Sequence, residues 1–495
     1  MTNFYDNIIY FSRVENFSTP NLLIYILNHY FCKKNVLMGR KLQFQLDDES
    51  SELISRYELF IAGKGPGYFD VEELETIVDY FLRKGKTKES SKALELGMQL
   101  HPGNSNLQTK RAKIYLALGE TQKAMRILDT MSESTEYELL LLKAEAMVKS
   151  GRSKEAEFIC NSILDNELED VDNICIDIAF IFIADLNITK ALHFLKIGDK
   201  YNDKNTDLLF ELAFCYEQLL DSDLAIDIYN RIINIDSYSS EAWFNLGQVY
   251  FVLQDFEKAL SAYDFVLAIN ENDSLACLQK AHTHFQIEEY QQAVDAYIDY
   301  GKMSGEDWQT HLFVGECYEK LELFDKAIEF YEQSLLEKTD NYDALTGIAI
   351  CLLEKEQFTE SLVYTQRALE LQEDAPDAWV YLAEALVGIE RLDEALLAYL
   401  KSITLEANQP DTLMAIANIC MDKGEWKMAL DYYLAAYDQD ITLEYIDLFI
   451  AVAFYKNENI TASTTYLKKA MAQNLEAERL FFEVCEDANR EDFLF

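Results

Sequence analysis

Apolar residues recur along this chain with a regular spacing that indicates pairs of short helices. In the 34-residue stretch 240–273, Trp243, Leu246 and Tyr250 follow one another at intervals of three and four positions. Residues at these intervals lie on the same side of an α-helix. A polar turn follows, and a second segment with helical periodicity completes the stretch. The pattern predicts two amphipathic helices packed antiparallel against each other.

Small residues keep the same register over most of the chain. With Ser240 counted as position 1, position 8 is Gly or Ala in eleven of twelve successive repeats, and Val78 takes this place in the first. Close packing does not by itself demand small residues at fixed intervals, so their recurrence indicates a true repeat. Position 20 is always Ala or Ser, and its occupants are Ser90, Ala124, Ala156, Ala191, Ala225, Ala259, Ala293, Ala327, Ser361, Ala395, Ala429 and Ser463.

This pattern resembles the tetratricopeptide repeat, which has a 34-residue period and the signature W-x2-L-G-x2-Y…A-x3-F. The resemblance implies an all-α fold, a right-handed superhelical α-solenoid of about twelve tandem helix–turn–helix repeats. The sequence departs from the family pattern in places, because Trp at position 4 occurs only as Trp243 and Trp379 and Pro at position 32 only as Pro102. The residues that carry the signature here are Trp243, Leu246, Gly247, Tyr250, Ala259 and Tyr263.

The repeat register divides the chain into four predicted regions. Residues 71–477 form the twelve repeats, and no linker rich in Pro, Gly or Ser interrupts them. Such an array needs no single large core, because each repeat is buried by its neighbours. Residues 47–70 are predicted to form an N-terminal cap helix, and residues 478–495 a C-terminal capping helix and tail. Residues 1–46 form an extension outside the repeat, which we expect to be poorly ordered.

The chain is strongly acidic, with a formal net charge of −44. A surface of this charge repels phosphate backbones, so nucleic acids and anionic membranes are disfavoured as partners. Two interpretations of the charge stay open, which are solubility for a long aromatic-rich solenoid and attraction of a basic partner. Residues 1–46 differ from the rest, since they carry five basic and two acidic residues.

The cysteines and the apolar stretches indicate a cytoplasmic protein without a membrane span. Nine cysteines occur, none in a CxxC pair, and several recur at packing positions of the repeat. Free cysteines in such positions behave as small core residues and are typical of a reducing compartment. The apolar stretch 21–32 is too short to cross a bilayer.

No motif in the sequence predicts catalysis, a cofactor or a metal site. The glycine-rich stretch 63–67 lacks the GK[ST] ending of a phosphate-binding loop, and Pro66 removes an amide donor. His282 and His284 are two residues apart, so a helix points them in different directions, and no zinc-binding spacing occurs. We therefore predict a protein that is not an enzyme and that needs no cofactor or small-molecule substrate.

The resemblance also predicts where a partner would bind. In the family, the first helix of each repeat lines the concave face, and positions 2, 5, 9, 12 and 13 commonly contact bound peptide. Large apolar residues at these positions form either an exposed binding surface or internal contacts of the superhelix. The residues at these positions in the central repeats are Phe180, Phe210, Phe214, Phe244, Phe251, His282 and Phe285.

Acidic residues recur at position 2 of the repeats, where two interpretations remain open. They stabilise the N-terminus of the first helix, or they contact a basic partner. The Lys/Asn/Arg clamp that chaperone-binding members use for a C-terminal carboxylate is missing from positions 5 and 9. The acidic residues at position 2 are Glu72, Glu138, Asp207, Glu241, Asp343, Asp377 and Asp411.

These observations together predict a protein-interaction scaffold. Its acidic and aromatic groove would bind a peptide or helical segment of another protein, with a basic and apolar segment favoured. A passive structural spacer without a groove ligand is the main alternative, and an undetected enzyme is a further one.

Overall fold

A computed structural model gives the architecture of the chain. Its description covers residues 48–65, 67–131, 136–166, 169–305, 307–490 and 493, and the secondary structure of these residues consists of 26 α-helices without a β-strand. The helices up to the middle of the chain are α1 (Asp48–Ile61), α2 (Val71–Arg83), α3 (Thr87–Leu100), α4 (Ser105–Ala117), α5 (Thr121–Thr130), α6 (Tyr137–Lys149), α7 (Ser153–Asn166), α8 (Val171–Ala184), α9 (Ile188–Tyr201), α10 (Thr206–Gln218), α11 (Ser222–Ile235), α12 (Ser240–Val252) and α13 (Phe256–Ile269). The remaining helices are α14 (Ser274–Gln286), α15 (Tyr290–Ser304), α16 (Trp308–Lys320), α17 (Phe324–Glu337), α18 (Tyr342–Glu354), α19 (Phe358–Leu371), α20 (Pro376–Gly388), α21 (Leu392–Leu405), α22 (Pro410–Asp422), α23 (Trp426–Gln439), α24 (Ile446–Lys456), α25 (Ile460–Gln473) and α26 (Ala477–Val484).

Two compact units divide the chain, an N-terminal unit that ends at Ala262 and a C-terminal unit that begins at Tyr263. Within the units, successive helices pack against one another from α1 to α12 and from α14 to α26. In the N-terminal unit, the first helices α2, α4, α6, α8 and α10 also pack successively against one another, more closely than the second helices do. The layer of first helices therefore lies on the inner, concave side of this unit.

Side-chain caps begin many of the first helices. Asp70 accepts a hydrogen bond from the Glu73 amide at 2.9 Å, and the Asp70 amide donates to Glu73 Oε2 at 3.1 Å, which forms a capping box at the start of α2. The residues that cap later first helices through a side-chain oxygen are Asn104, Asn205, Ser239, Asp273 and Asp307. Each cap satisfies an amide that has no partner inside its helix.

The small residues at position 20 lie at the closest approach of the two helices of a repeat. The alanines there are fully buried, for example Ala225 and Ala259. Where serine replaces alanine, its hydroxyl donates to the carbonyl of position 8 on the facing helix, as between Ser361 and Ala349 at 3.0 Å. Ser90 and Ser463 make the equivalent bonds. Serine is therefore tolerated in this buried position because its hydroxyl finds an acceptor there.

The turn between the two helices of each repeat has a left-handed residue at position 15. Its φ is positive in all twelve repeats, although only four of these residues are glycine. Among the others, Leu220 has φ 59°, and the following Asp221 amide donates to the Tyr216 carbonyl at 2.9 Å. This is the Schellman arrangement, which ends many helices and in which the αL residue is usually glycine. The left-handed residues are Gly85, Gly119, Gly151, Leu186, Leu220, Gln254, Glu288, Glu322, Glu356, Glu390, Gly424 and Glu458.

The ends of the array contain two further helices. α1 lies within the region 47–70 and packs against α2, with Ile54 and Tyr57 buried. At the other end, α26 stops at Val484, and Phe493 is buried against the ring of Phe481 at a centroid distance of 5.1 Å. The predicted extension at residues 1–46 lies outside the described residues.

Replacing Ala259 by Leu tests the register at a fully buried position. The added side chain overpacks the helix pair, so we expect a loss of about 1–3 kcal/mol in the free energy of unfolding. Thermal denaturation followed by circular dichroism measures the change. Ser261→Leu, at an exposed position of the same helix, is the matched control and should melt like the unchanged protein. Equal melting of both variants would contradict the register.

Replacing Leu220 by Gly tests the cost of the left-handed turn. The Leu220 side chain is 81% exposed, so its removal costs little burial, while glycine adopts a positive φ without the steric penalty of a Cβ atom. We expect the free energy of unfolding to rise by up to about 1 kcal/mol. Leu219→Gly in the same turn is the control, because Leu219 has φ −91°, and its replacement should destabilise the protein. A loss of stability in Leu220→Gly would show that the leucine itself stabilises the turn.

Candidate functional site

One stripe of α10, a first helix of the N-terminal unit, combines aromatic and acidic side chains. The stripe consists of Asp207, Phe210, Glu211, Phe214 and Glu217, whose successive intervals of three, one, three and three residues bring them to one side of the helix. The two phenylalanine rings are half-buried against the apolar core of the unit. Among the neighbouring carboxylates, the Asp207 side chain is exposed, whereas Glu211 is only 5% exposed.

The neighbouring first helices extend this stripe. α8 contributes Asp177 and the half-buried Phe180, and α12 contributes Glu241 and the half-buried Phe244. Both acidic residues are exposed, and Asp177 also accepts a hydrogen bond from the Tyr137 hydroxyl at 2.7 Å. We call the combined region the aromatic–acidic surface, and it consists of Asp177, Phe180, Asp207, Phe210, Glu211, Phe214, Glu217, Glu241 and Phe244.

Glu217 has an unusual protonation equilibrium within this surface. The Tyr229 hydroxyl, which belongs to the facing second helix, donates to Glu217 Oε1 at 2.6 Å. Burial raises the pKa of Glu217 to about 7, and the hydrogen bond from Tyr229 opposes that shift only in part. The Tyr229 ring lies 6.3 Å from the ring of Phe210, centroid to centroid. The charge of this surface therefore changes near neutral pH.

Two of the predicted binding residues lie in the core. Phe251 is 7% exposed and packs edge-on against Phe256 at 5.5 Å. His282, in the C-terminal unit, is 9% exposed, and its Nδ1 is hydrogen-bonded to the Tyr297 hydroxyl at 2.6 Å. Burial lowers the pKa of His282 to about 4, so the imidazole is neutral at pH 7. For these two residues the structure favours the internal-contact interpretation.

Phe285 lies in the C-terminal unit and is half-buried. Its ring packs edge-on against Tyr290 at 5.4 Å. The four phenylalanines of the aromatic–acidic surface all belong to the N-terminal unit, so the predicted set is divided between the two units.

The acidic residues at position 2 do not share one role. Glu138 forms ion pairs with Lys110 at 3.1 Å and with Lys113 at 3.6 Å, which ties successive first helices together. Asp377 accepts a hydrogen bond from the Tyr342 hydroxyl at 2.9 Å. These acids thus have structural contacts, in addition to their position in the first turn of a helix.

Sequence reasoning missed a group of carboxylates in the C-terminal unit. Burial, with Asp343 and Glu319 nearby, raises the pKa of Glu316 to about 8. The Tyr331 hydroxyl donates to Glu319 at 2.7 Å, as Tyr229 does to Glu217 in the other unit. In these two repeats, Tyr at position 24 occurs together with Glu at position 12, and this pairing is visible in the sequence. The hydrogen bond between the two side chains forms only because the tyrosine reaches across to the first helix.

Three features of the described residues bear on metal binding, thiol chemistry and membrane insertion. They contain no group of three or more His, Cys, Asp or Glu placed to hold a metal ion. Their eight cysteines are all buried and unpaired, and burial raises the pKa of Cys160 and Cys215 to about 12, which keeps these thiols unreactive. None of the helices in this part of the chain is long and apolar enough to cross a membrane.

Sequence models of the tetratricopeptide repeat match several stretches of the chain. The matched residues are 207–236, 240–273, 278–344, 346–411 and 412–444. No curated protein matches the chain.

Solved structures with similar folds are themselves tetratricopeptide repeat proteins or assemblies. YrrB, described as a TPR protein with an unusual peptide-binding site, is 18% identical over 38% of this chain and 96% of its own, with a TM-score of 0.33. The Cut9–Hcn1 structure of the APC/C is 14% identical over 87% of this chain and 98% of its own, with a TM-score of 0.38. The C-terminal part of a TPR protein from Cytophaga hutchinsonii is 16% identical over 48% of this chain and 98% of its own, with a TM-score of 0.40. At these values the similarities carry no functional argument.

The family matches and the helix pairs agree in register. The stretch 240–273 is matched as one repeat, and it contains the pair α12 and α13. Repeats of this kind present extended surfaces for other proteins and are typically non-catalytic. Between residues 207 and 444 the chain thus consists of tetratricopeptide repeats, and the protein is, in general terms, a protein-interaction scaffold.

Proposed function

We propose that the aromatic–acidic surface binds an extended or helical segment of another protein. The observation that carries this proposal is the placement of Phe180, Phe210, Phe214 and Phe244 on three adjacent first helices, among five carboxylates. The rings are only half-buried, so each retains area that a partner can cover. Aromatic anchors of this kind supply much of the binding energy at protein interfaces.

The charge of the surface selects the class of partner. Asp177, Asp207 and Glu241 are exposed beside the rings, and the chain as a whole is strongly negative. A segment with lysine or arginine next to apolar residues would match both features, whereas nucleic acid would be repelled. Because exposed charges attract over a Debye length of about 8 Å at physiological ionic strength, association should slow as salt is added.

We propose further that the protein is not an enzyme and that it acts in the cytoplasm. Binding needs none of the nucleophiles or metal sites that an enzyme would require. The unpaired, buried cysteines of the described residues suit a reducing compartment, and we place the protein in the cytoplasm.

A passive spacer is the second candidate function, and one observation favours it. Phe180, Phe210 and Phe214 contact the core of the N-terminal unit, so their rings contribute to packing between helices. If packing were their only role, a partner would gain nothing from them. Binding experiments on the full chain separate the two functions.

A library of random twelve-residue peptides displayed on phage provides a probe without knowledge of the natural partner. Selection against the full chain should enrich peptides that combine basic with aromatic or aliphatic residues. Failure to enrich any peptide, or enrichment of acidic ones, would favour the spacer.

Replacing Phe210 and Phe244 together by Ala should weaken the binding of a selected peptide by about 2 kcal/mol or more, the size of an interface hot spot. Fluorescence anisotropy of the labelled peptide measures the affinity. Phe158→Ala is the matched control, because Phe158 lies on the second helix α7 and is 76% exposed. It should bind the peptide like the unchanged protein.

The stability of the double variant separates binding from packing. Truncating these half-buried rings should lower the free energy of unfolding by less than the roughly 3–5 kcal/mol that is lost when a buried phenylalanine is truncated. A variant that melts much earlier than Phe158→Ala would show that the rings are core residues. Normal melting with full peptide affinity would leave the spacer as the better function.

The pKa of Glu217 predicts a pH dependence of binding. Its carboxyl is largely protonated at pH 6 and ionised at pH 8, since its pKa is about 7. A peptide whose only charges are lysine and arginine should therefore bind up to about fivefold more tightly at pH 8, equivalent to about 1 kcal/mol. Glu217→Gln should reduce this difference, and an unchanged pH profile would show that Glu217 does not face the peptide.

The same titration affects stability in the opposite direction. The folded pKa of Glu217 lies above its usual value of 4.5, so its contribution to stability is complete below pH 4.5 and is lost as the pH rises through 7. Comparing the melting of Glu217→Gln with that of the unchanged protein over this range separates the stability effect from the binding effect.

A further inference from the structure

The first 46 residues have a charge opposite to that of the rest of the chain. They carry a net charge of about +3, while the remaining chain accounts for about −47 of the total of −44. The two acidic residues come early, and four of the five basic residues lie between positions 33 and 41. The charged residues of this N-terminal segment are Asp6, Arg13, Glu15, Lys33, Lys34, Arg40 and Lys41.

An apolar stretch precedes the basic residues. Residues 21–32 read NLLIYILNHYFC and contain no Asp, Glu, Lys or Arg. Lys33 and Lys34 follow directly. This order of apolar residues and then lysines is the composition that the aromatic–acidic surface favours in a partner.

The segment is long enough to reach that surface. Fifteen residues separate Cys32 from Asp48, where α1 begins. A chain of that length spans at most about 50 Å. α1 packs against α2, and the first helices from α2 to α10 follow one another in four steps. From α1 to α8, where the aromatic–acidic surface begins, there are four such steps, which at about 10 Å each give a distance of about 40 Å.

We propose that residues 1–46 occupy the aromatic–acidic surface of their own chain. The apolar stretch would cover Phe180, Phe210, Phe214 and Phe244, and the lysines and arginines would neutralise the carboxylates around them. The inference rests on the proposed function, since the same surface would receive an external partner.

Tethering favours the segment of the same chain over that of a second copy. A short linker gives a tethered ligand an effective concentration in the millimolar range, far above that of a free protein. An external partner would therefore compete with the segment, and its apparent affinity would be lower for the occupied surface. The surface would thus be regulated by release of residues 1–46.

Cleavage within the full chain tests the occupancy. A recognition site for a specific protease is inserted between Leu46 and Asp47, and a fluorophore is attached to the N-terminal amine. If the segment is bound, its anisotropy stays high after cleavage and falls only on dilution, which yields a dissociation constant. Loss of anisotropy immediately after cleavage, even when the protein concentration approaches the millimolar effective concentration of the tether, would overturn the inference.

Substitutions in the aromatic–acidic surface and in the N-terminal segment test whether these two regions contact each other. We expect Phe210→Ala with Phe244→Ala to raise the dissociation constant at least tenfold. Reversal of Lys33, Lys34, Arg40 and Lys41 to Glu should have a similar effect. Phe158→Ala should retain the segment like the unchanged chain. Retention by the phenylalanine double variant would place the segment elsewhere and contradict the proposal.

Sedimentation of the uncleaved chain distinguishes its own segment from that of a second copy. A monomer across the concentration range agrees with the proposal, and dimers that Phe210→Ala with Phe244→Ala dissolves would assign the surface to a second copy instead. The phage-selected peptide separates the inference from the proposed function. If that peptide binds the surface while the released segment does not, only the self-occupancy fails, and if neither binds, the proposed function fails as well.

Discussion

The close approach of the two helices in each repeat is the contact on which the rest of the structure depends. It requires small residues where the backbones meet, and large residues must then fill the spaces on either side. Tyr331 shows how tight this packing is, because a Cβ added to Gly315 or Gly347 would come within 2.7 Å or 2.5 Å of its ring. Where Ser361 replaces alanine at the contact, its hydroxyl bonds to the Ala349 carbonyl, so the buried polar group is satisfied.

This packing leaves the inner side of the first helices available for function. In the N-terminal unit, the second helices from α3 to α11 each pack against the first helix of their own repeat and that of the next, while the first helices from α2 to α10 also contact each other in succession. The stripe of α10 carries Phe210 and Phe214 among carboxylates. The position-24 tyrosine connects core and surface, since Tyr229 is buried while its hydroxyl reaches Glu217. The same residue that fills the core therefore also affects the charge of the surface.

Charge acts on two scales in this protein. The net charge of −44 is spread over the chain and repels polyanions, whereas burial decides how much of it is present at a given site. Glu217 and Glu316 are held partly neutral near pH 7 for this reason. The basic residues at the start of the chain form the opposite local charge. A self-complementary arrangement of this kind would let one sequence supply both a binding surface and the segment that covers it.

The sequence by itself determined the helix pairs and the repeat register, because close packing leaves a periodic trace such as Ala225 and Ala259 one period apart. It also indicated Phe210 and Phe244, which are half-buried on successive first helices. The burial of Phe251 and His282, the raised pKa of Glu217 and the left-handed Leu220 were decided only by the tertiary structure. Each depends on neighbouring turns and helices that desolvate a side chain or impose a backbone angle, and single residues in a periodic pattern do not reveal such contacts.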